Sequence, residues 1–376
     1  MSLLVKEKEQ KTKSQILKGE KNIKVKKSFF AKFCTFMANC IILGSIAVLF
    51  LMYGPYKGFR EWYITTAMTT MTHQYLATWF YSSETIAEVL DNNKMVEVQD
   101  ITDTSLINGK AASSNQVVTY KDEYDRQVLE RDPAHPEYKI VEISGKSFTG
   151  YAAFVYDPSK IHTMVTENLN KSGQYVTKMA EKNKAVLAVN GGFFIDLKED
   201  RTGGTPQGIT IANGKVVTNK VYTGEGGLVG FDENNNLIVG KLTAAQAEKM
   251  KIRDAVTTGP FLIVNGQASK VVGNGGWGTA PRTAIGQRED GVIIFLVIDG
   301  RRVGKAGATM NQLIELMQKY GAVNAAALDG GTSSVLVENY KILNDPINSD
   351  GVHKTRPVAT AFGLMLDDND KSKNSK

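Results

Sequence analysis

Hydrophobic and polar positions divide this chain into three regimes. Residues 1–32 are lysine-rich with few apolar positions, and residues 33–56 carry no charge at all around the centre Ile41-Ile42-Leu43-Gly44-Ser45-Ile46-Ala47-Val48-Leu49-Phe50-Leu51-Met52. From Tyr138 onward, short apolar runs alternate with turn residues. There the pattern predicts strands over 138–143 and 151–156, a helix over 172–182 and a strand opening at Val186. Hairpin signals follow closely. Ile209-Thr210-Ile211 and Lys215-Val216-Val217 flank Asn213-Gly214, residues 228–231 and 237–239 flank an Asn-rich turn, and residues 261–264 precede Asn265-Gly266. Helices are expected over 243–251 and 309–320, the second with Thr309 and Gln312 placed as a capping box and Gly321 as its stop. Strands over 334–337 and 358–366 complete the set. Hairpins and helices without regular β-α alternation predict an α+β domain with a mixed, largely antiparallel sheet and flanking helices, preceded by one transmembrane helix.

The expected organisation is a basic tail (1–32), a membrane anchor (33–56), a juxtamembrane and connector segment (57–137), a compact domain (138–366) and a polar tail (367–376). Gly54-Pro55 should break the apolar helix. Beyond it, Trp62, Tyr63, Tyr75, Trp79, Phe80 and Tyr81 suit either the headgroup region of a membrane or packing on protein. Residues 84–90 read as helix, and residues 91–135 as a polar, loosely ordered connector.

Charge changes the picture in one respect. The 376 residues carry a net +6, but residues 1–32 hold ten lysines against Glu7, Glu9 and Glu20, so the rest of the chain sums to −1. Composition therefore gives the folded part no basic nucleic-acid surface. Lys24, Lys26, Lys27 and Lys32 precede the apolar run and only Lys57 and Arg60 closely follow it, which predicts a cytoplasmic N-terminus and an extracellular domain in a single-pass membrane protein. A cleaved signal peptide is the rival reading, but the run is longer than the usual ~7–15 residues and no small-x-small site follows. Both cysteines, Cys34 and Cys40, lie in the run, so the exported part must fold without disulfides or cysteine metal sites.

Three apolar runs end in Asn/Asp-Gly: Val186-Leu187-Ala188-Val189-Asn190-Gly191-Gly192, Ile294-Phe295-Leu296-Val297-Ile298-Asp299-Gly300-Arg301, and Ala325-Ala326-Ala327-Leu328-Asp329-Gly330-Gly331-Thr332-Ser333-Ser334. Each taken singly reads as an ordinary turn. None is followed at once by the return strand of a two-residue hairpin, so the recurrence predicts polar groups at strand ends lining one cleft. His73, His135, His162 and His353 are scattered without metal spacing, and the Gly-x-Ser-x-Gly and P-loop patterns are absent.

In several ordered motifs the chain resembles the phosphodiester glycosidase family. They are Val189-Asn190-Gly191-Gly192-Phe193-Phe194, Gly204-Thr205-Pro206-Gln207-Gly208, Thr258-Gly259-Pro260, Pro281-Arg282-Thr283-Ala284, Asp299-Gly300-Arg301, Leu328-Asp329-Gly330-Gly331-Thr332-Ser333-Ser334 and Arg356-Pro357-Val358-Ala359. The resemblance implies a hydrolase acting on a sugar joined through its anomeric oxygen to phosphate, in a phosphorylated glycan of the envelope or an exopolysaccharide. The apolar span and the lack of later cysteines resemble envelope-anchored bacterial members rather than disulfide-bearing animal ones.

The residues suit that chemistry. Arg282, Arg301 and Arg356 sit beside glycine, proline or turn residues, where a guanidinium can reach a phosphate, although each could equally pair with a carboxylate. Breaking a C1–O bond passes through an oxocarbenium-like state that a carboxylate must stabilise or supply with water, and Asp299 and Asp329 are the expected catalytic pair. Asn190, Thr258, Ser333 and Ser334 are expected to bind sugar hydroxyls, with Gly191, Gly192, Gly330 and Gly331 offering N–H groups or room. No cofactor is assigned. Calcium or magnesium held by the two aspartates would make the same site a metallo-phosphodiesterase, and a non-catalytic glycan-binding module is the reading from another class.

Overall fold

The computed structural model describes residues 2–69, 73–108, 119–195, 203–348 and 350–366, with no side-chain description for 2–6 and 22–28. The polar tail 367–376 lies outside the described residues. The chain divides into two units, Met1–Ile64 and Thr65–Lys376.

In the first unit, Ser2–Tyr53 is one continuous helix. Its stretch Phe29–Tyr53, 25 residues of mean hydropathy 2.2, is long and apolar enough to cross a membrane. Residues 2–32, expected as a separate basic tail, belong to that same helix. Lys, Glu and Gln lose little rotamer freedom in a helix, and no proline precedes Pro55, so the charged segment continues the apolar helix rather than fraying from it. Gly54 ends it, its N–H bonding Phe50 O at 2.8 Å.

The second unit is a mixed α+β body built on antiparallel sheets. A seven-stranded sheet runs in the order Gln267–Ala268, Phe261–Val264, Ala322–Ala327, Arg282–Arg288, Ile293–Asp299, Thr149–Val155, Tyr138–Ser144. One five-stranded sheet runs Leu237–Gly240, Gly227–Asp232, Ile252–Thr258, Ile209–Ala212, Lys215–Asn219, and the other Lys341–Ile342, Leu336–Glu338, Ala185–Asn190, Thr360–Met365, Ile161–Val165. The three hairpins expected from Asn213-Gly214, the Asn-rich turn and Asn265-Gly266 are present.

All three sheets contribute to one central core, which includes Phe295, Val297, Val189, Phe362, Val229 and Phe231. Each sheet's other face lies under a helix: Met310–Lys319 on the seven-stranded sheet, Val176–Asn183 and Ala244–Lys249 on the five-stranded ones. This arrangement explains the unbroken apolar run at 293–298. Ile293, Phe295 and Val297 face the central core while Ile294, Leu296 and Ile298 face the helix side, so both faces of the strand are dry. Full burial of each such side chain is worth roughly 1.5–3 kcal/mol. Thr309 and Gln312 form the expected capping box, and Gly321 ends that helix at φ +78°.

Two elements begin later than their periodicity suggests, for one reason. Gln174 and Val358 exchange backbone hydrogen bonds of 2.9 and 3.0 Å, which commits both outside regular structure. The helix therefore starts at Val176 and the last strand at Thr360.

The stretch read as a loose connector also differs. Lys94–Val96 pairs with Lys270–Val272, and the buried Glu97 accepts the Phe261 N–H at 2.8 Å. Thr102 exchanges hydrogen bonds with Val239, Asp125 pairs with Arg288 at 2.9 Å, and Val128 is fully buried in the core under the long helix. These residues strap the domain through single buried side chains at irregular spacing, a pattern with no period to read. Residues 109–118, in the middle of that stretch, lie outside the described residues. Of the aromatic group, Trp62, Tyr75, Trp79 and Phe80 are exposed and Tyr81 is buried.

Candidate active site

Strand register brings the ends of all three sheets together. Arg282 opens its strand opposite Ile298, next to Asp299, and Ala284 lies opposite Ala327, two residues before Asp329. From one five-stranded sheet, Thr258 donates its hydroxyl to Ala327 O at 3.0 Å. From the other, Asn190 donates to Asp329 O at 2.6 Å. The Asn190 and Asp329 strand ends therefore meet, with Thr258 beside them.

Within the junction the roles divide. Asn190 is fully buried, and its Oδ1 accepts from Thr283 Oγ1 at 2.7 Å and from the Val335 N–H at 3.2 Å. It is a three-way tie between sheets and turn, where the sequence reading made it a ligand for sugar hydroxyls. Thr258 likewise uses its hydroxyl internally. The Gly191 and Gly192 N–H groups are taken by Thr360, and a Cβ on Gly192 would meet Thr257 O at 2.4 Å, so these glycines supply room for sheet-to-sheet contact. Asp329 is half-buried, its backbone held by Asn190 on one side and by Gly191 O, which accepts its N–H at 3.1 Å, on the other. Ser333 is buried, and Ser334 buries its Oγ with no hydrogen-bond partner among the described residues.

Two of the three arginines converge on the turn after Asp329. A Cβ built on Gly330 would lie 3.7 Å from Arg282 Nη1, and one on Gly331 would lie 3.2 Å from Arg301 Nη2. Gly331, at φ +63°, is both the bend and the gap. Arg282 is buried, donating through Nε to Ala308 O and through Nη2 to Trp277 O and Gly278 O. Arg301 donates through Nη1 to Thr332 Oγ1 at 2.7 Å and Ile347 O at 2.8 Å. Neither has a carboxylate partner among the described residues, and Arg282 Nη1 has no acceptor there. Burial, together with the neighbouring Arg301 charge, pulls Arg282 down to about 10, and burial lowers Arg301 as well. Both remain cations at neutral pH. Two partly desolvated guanidiniums at one turn, with no carboxylate partner among the described residues, have the chemistry to hold a divalent oxyanion such as phosphate.

Arg356 takes a different seat, its guanidinium carbon 4.6 Å above the Phe194 ring. An open hollow of about 410 Å³ on the neighbouring Pro357 side is lined by Gln174, Tyr175 and Lys178 and lies apart from the strand-end cluster.

Asp299 is where site and sequence reading part. Its neighbour Ile298 faces the helix side with Arg282, so Asp299 points to the opposite face of the sheet. There it accepts Asn344 Nδ2–H at 2.8 Å and the Asp345 N–H at 3.2 Å, with Arg302 at 3.8 Å. Burial raises its pKa, opposed by those donors. These are the surroundings of a brace for the 344–345 turn. His353, exposed, bonds Asp345 at 2.6 Å. Among the described residues no three His, Cys, Asp or Glu side chains gather to hold a metal ion.

The sequence reading passed over an aromatic wall beside Arg282. Trp277, whose carbonyl Arg282 holds, lies nearly parallel to Phe193 (interplanar 9°, centroids 6.3 Å apart), and Tyr222 flanks Phe193 at 6.2 Å. Trp277 Nε1 donates to Glu225 Oε2 at 2.6 Å. A legible signal existed in Gly273-Asn274-Gly275-Gly276-Trp277-Gly278, a glycine-rich loop around one of three tryptophans.

Residues 183–365 match the family model described as phosphodiester glycosidase. A curated relative, the SPbeta prophage-derived uncharacterized protein YomE of Bacillus subtilis (strain 168), is 28% identical over 249 residues, covering 62% of this chain and 37% of the relative. The match thus spans little more than a third of that protein's length. Among solved structures, the catalytic domain of zebrafish N-acetylglucosamine-1-phosphodiester alpha-N-acetylglucosaminidase aligns with a TM-score of 0.52 at 20% identity, over 69% of this chain and 87% of that one. That likeness establishes a shared fold. A hypothetical protein from Synechocystis aligns at 19% identity and a TM-score of 0.42, over 60% of this chain and 61% of that one.

Proposed function

The chain belongs, through residues 183–365, to the phosphodiester glycosidase family, and from that premise we propose that it hydrolyses a sugar-1-phosphodiester by breaking the bond between the anomeric carbon and oxygen. The observation that carries this reading is the Arg282–Arg301 pair, without carboxylate partners among the described residues, on the Gly330-Gly331 turn next to Asp329. The arginines hold the phosphate. Asp329, fixed by its own backbone, faces the charge that develops at the anomeric carbon. A phosphate monoester leaves readily as an anion, so the guanidiniums supply much of the stabilisation that a general acid supplies to an alcohol leaving group. Asn190, Thr258, Gly191 and Gly192 hold the strand ends in register. Asp299 braces the turn at 344–345.

Which bond breaks is decided by hydrolysis in ¹⁸O-labelled water. Carbon–oxygen cleavage puts the label on the sugar's C1 hydroxyl and leaves the phosphate unlabelled, with activity unaffected by a chelator. Label in the phosphate would show attack at phosphorus and overturn the glycosidase mechanism.

The substrate is placed outside the cell, in a phosphorylated envelope glycan or exopolysaccharide. Support comes from the span Phe29–Tyr53 and the lysine excess before it, which together favour a signal anchor with the N-terminus in the cytoplasm. Protease added to intact cells is then expected to remove residues 138–366, and a domain shaved only after lysis would reverse the orientation.

A further inference from the structure

We propose that Glu225 is the base that delivers water to the anomeric carbon, an assignment that rests on the glycosidic reading above. With Asp299 engaged as a brace, the second carboxylate that glycoside hydrolysis calls for is unassigned. Glu225 is linked to the turn that carries Asp329 by two independent routes. Along the first, its carboxylate accepts from Trp277 Nε1, and the Trp277 carbonyl is held by Arg282, which reaches Gly330. Along the second, its backbone packs against the Thr258-Gly259 strand end: a Cβ on Gly259 would stand 2.9 Å from Glu225 O. Thr258 in turn bonds Ala327, two residues before Asp329. Both routes close on the 327–330 turn, which puts Glu225 on the aromatic wall of Phe193, Tyr222 and Trp277 beside that turn.

The carboxylate is also poised. Trp277 fixes Oε2, and Oε1 has no partner among the described residues, leaving it for a water. Burial raises the pKa of Glu225, and the nearby Glu97 adds to this, while the Trp277 N–H and Lys241 oppose it. Tyr222 shares the same surroundings and stays protonated, its phenol pushed far up by burial and by Glu97 and Glu225. A carboxylate with a raised pKa is a stronger base than an exposed one, provided the pH exceeds that value. In the step, Glu225 Oε1 takes a proton from water as the water oxygen bonds to C1. The C1–O bond breaks with its electron pair leaving on the phosphate, which departs between the guanidiniums. The proton on Glu225 then passes to solvent.

The test uses the full chain and the methyl phosphodiester of α-N-acetylglucosamine 1-phosphate, alongside the corresponding diesters of other sugars. Glu225→Gln is expected to lower kcat by about 10²–10⁴ with KM within about threefold. Azide is expected to restore turnover to Glu225→Ala with formation of a glycosyl azide. Trp277→Phe removes the N–H that favours the ionised carboxylate, so the acid limb of kcat/KM is expected to move to higher pH, a shift that loss of packing alone would not give. This variant also decides the matter if Glu225→Gln does not fold. A Glu225→Gln protein with kcat within about threefold of wild type, or an unmoved acid limb in Trp277→Phe, overturns the assignment of Glu225 alone. Wild-type protein that releases no sugar from any of the diesters overturns the glycosidic reading, and Glu225 with it.

Discussion

Arg301→Met is expected to lower kcat/KM for a sugar-1-phosphodiester by roughly 10²–10³, the usual cost of removing one preorganised charge-stabilising donor, and Arg282→Met by at least as much. The two should not add independently. The two guanidiniums reach the same Gly330-Gly331 turn, so the first removal relieves a repulsion while the second removes what remains of the anion receptor. Arg301→Lys is expected to recover little. A lysine could keep one bond to Thr332 Oγ1 or Ile347 O, but it has no second arm to direct at the Gly331 gap. Inorganic phosphate provides a check independent of turnover: as a competitive inhibitor of wild type it should lose at least tenfold in affinity in either methionine variant. Unchanged inhibition by phosphate in both would move the anion site elsewhere, with Arg356 the next candidate.

The places where these strands end were legible because strand ends leave a local signature. Apolar runs stopping at Asn190, Asp299 and Asp329 announce where the chain leaves the core, and antiparallel pairing then brings alternate ends to one side of a sheet. Other features were hidden for a physical reason. Whether Asp299 faces Arg282 or turns from it depends on a period of two, and a run buried on both faces, as Ile293–Asp299 is, shows no alternation from which to read facing. Asn190 reads like a ligand because a buried polar residue at a strand end looks the same in sequence whether it binds substrate or other chain segments. Glu97, Asp125 and Val128 act singly, so no window average over the polar stretch around them could reveal that they strap the domain. Glu225 lies in a loop whose only marker is its distance in space from a tryptophan 52 residues later.

Asp299→Asn and Asp329→Asn, matched in chemistry and placed at the ends of the two strands that flank Arg282–Arg288, are expected to separate stability from catalysis. At Asp299 an amide would turn one N–H donor toward the donors of Asn344 and Asp345, leaving an unsatisfied contact that costs about 1–3 kcal/mol, while kcat falls less than about tenfold. At Asp329 the backbone ties to Asn190 and Gly191 persist whatever the side chain, and kcat should fall by about 10³ or more. The pH dependence supplies a sign. Burial raises the folded-state pKa of Asp299 above its ordinary value of 3.8, so its contribution to stability is complete below that value and is lost as pH climbs through the raised one. An asparagine does not titrate. The stability deficit of Asp299→Asn relative to wild type should therefore shrink as pH rises from about 4 toward neutrality. Urea titrations of both variants across that range, read beside kcat, distinguish the roles. If Asp299→Asn loses activity as completely as Asp329→Asn while keeping wild-type stability, Asp299 is a catalytic carboxylate and the brace assignment falls.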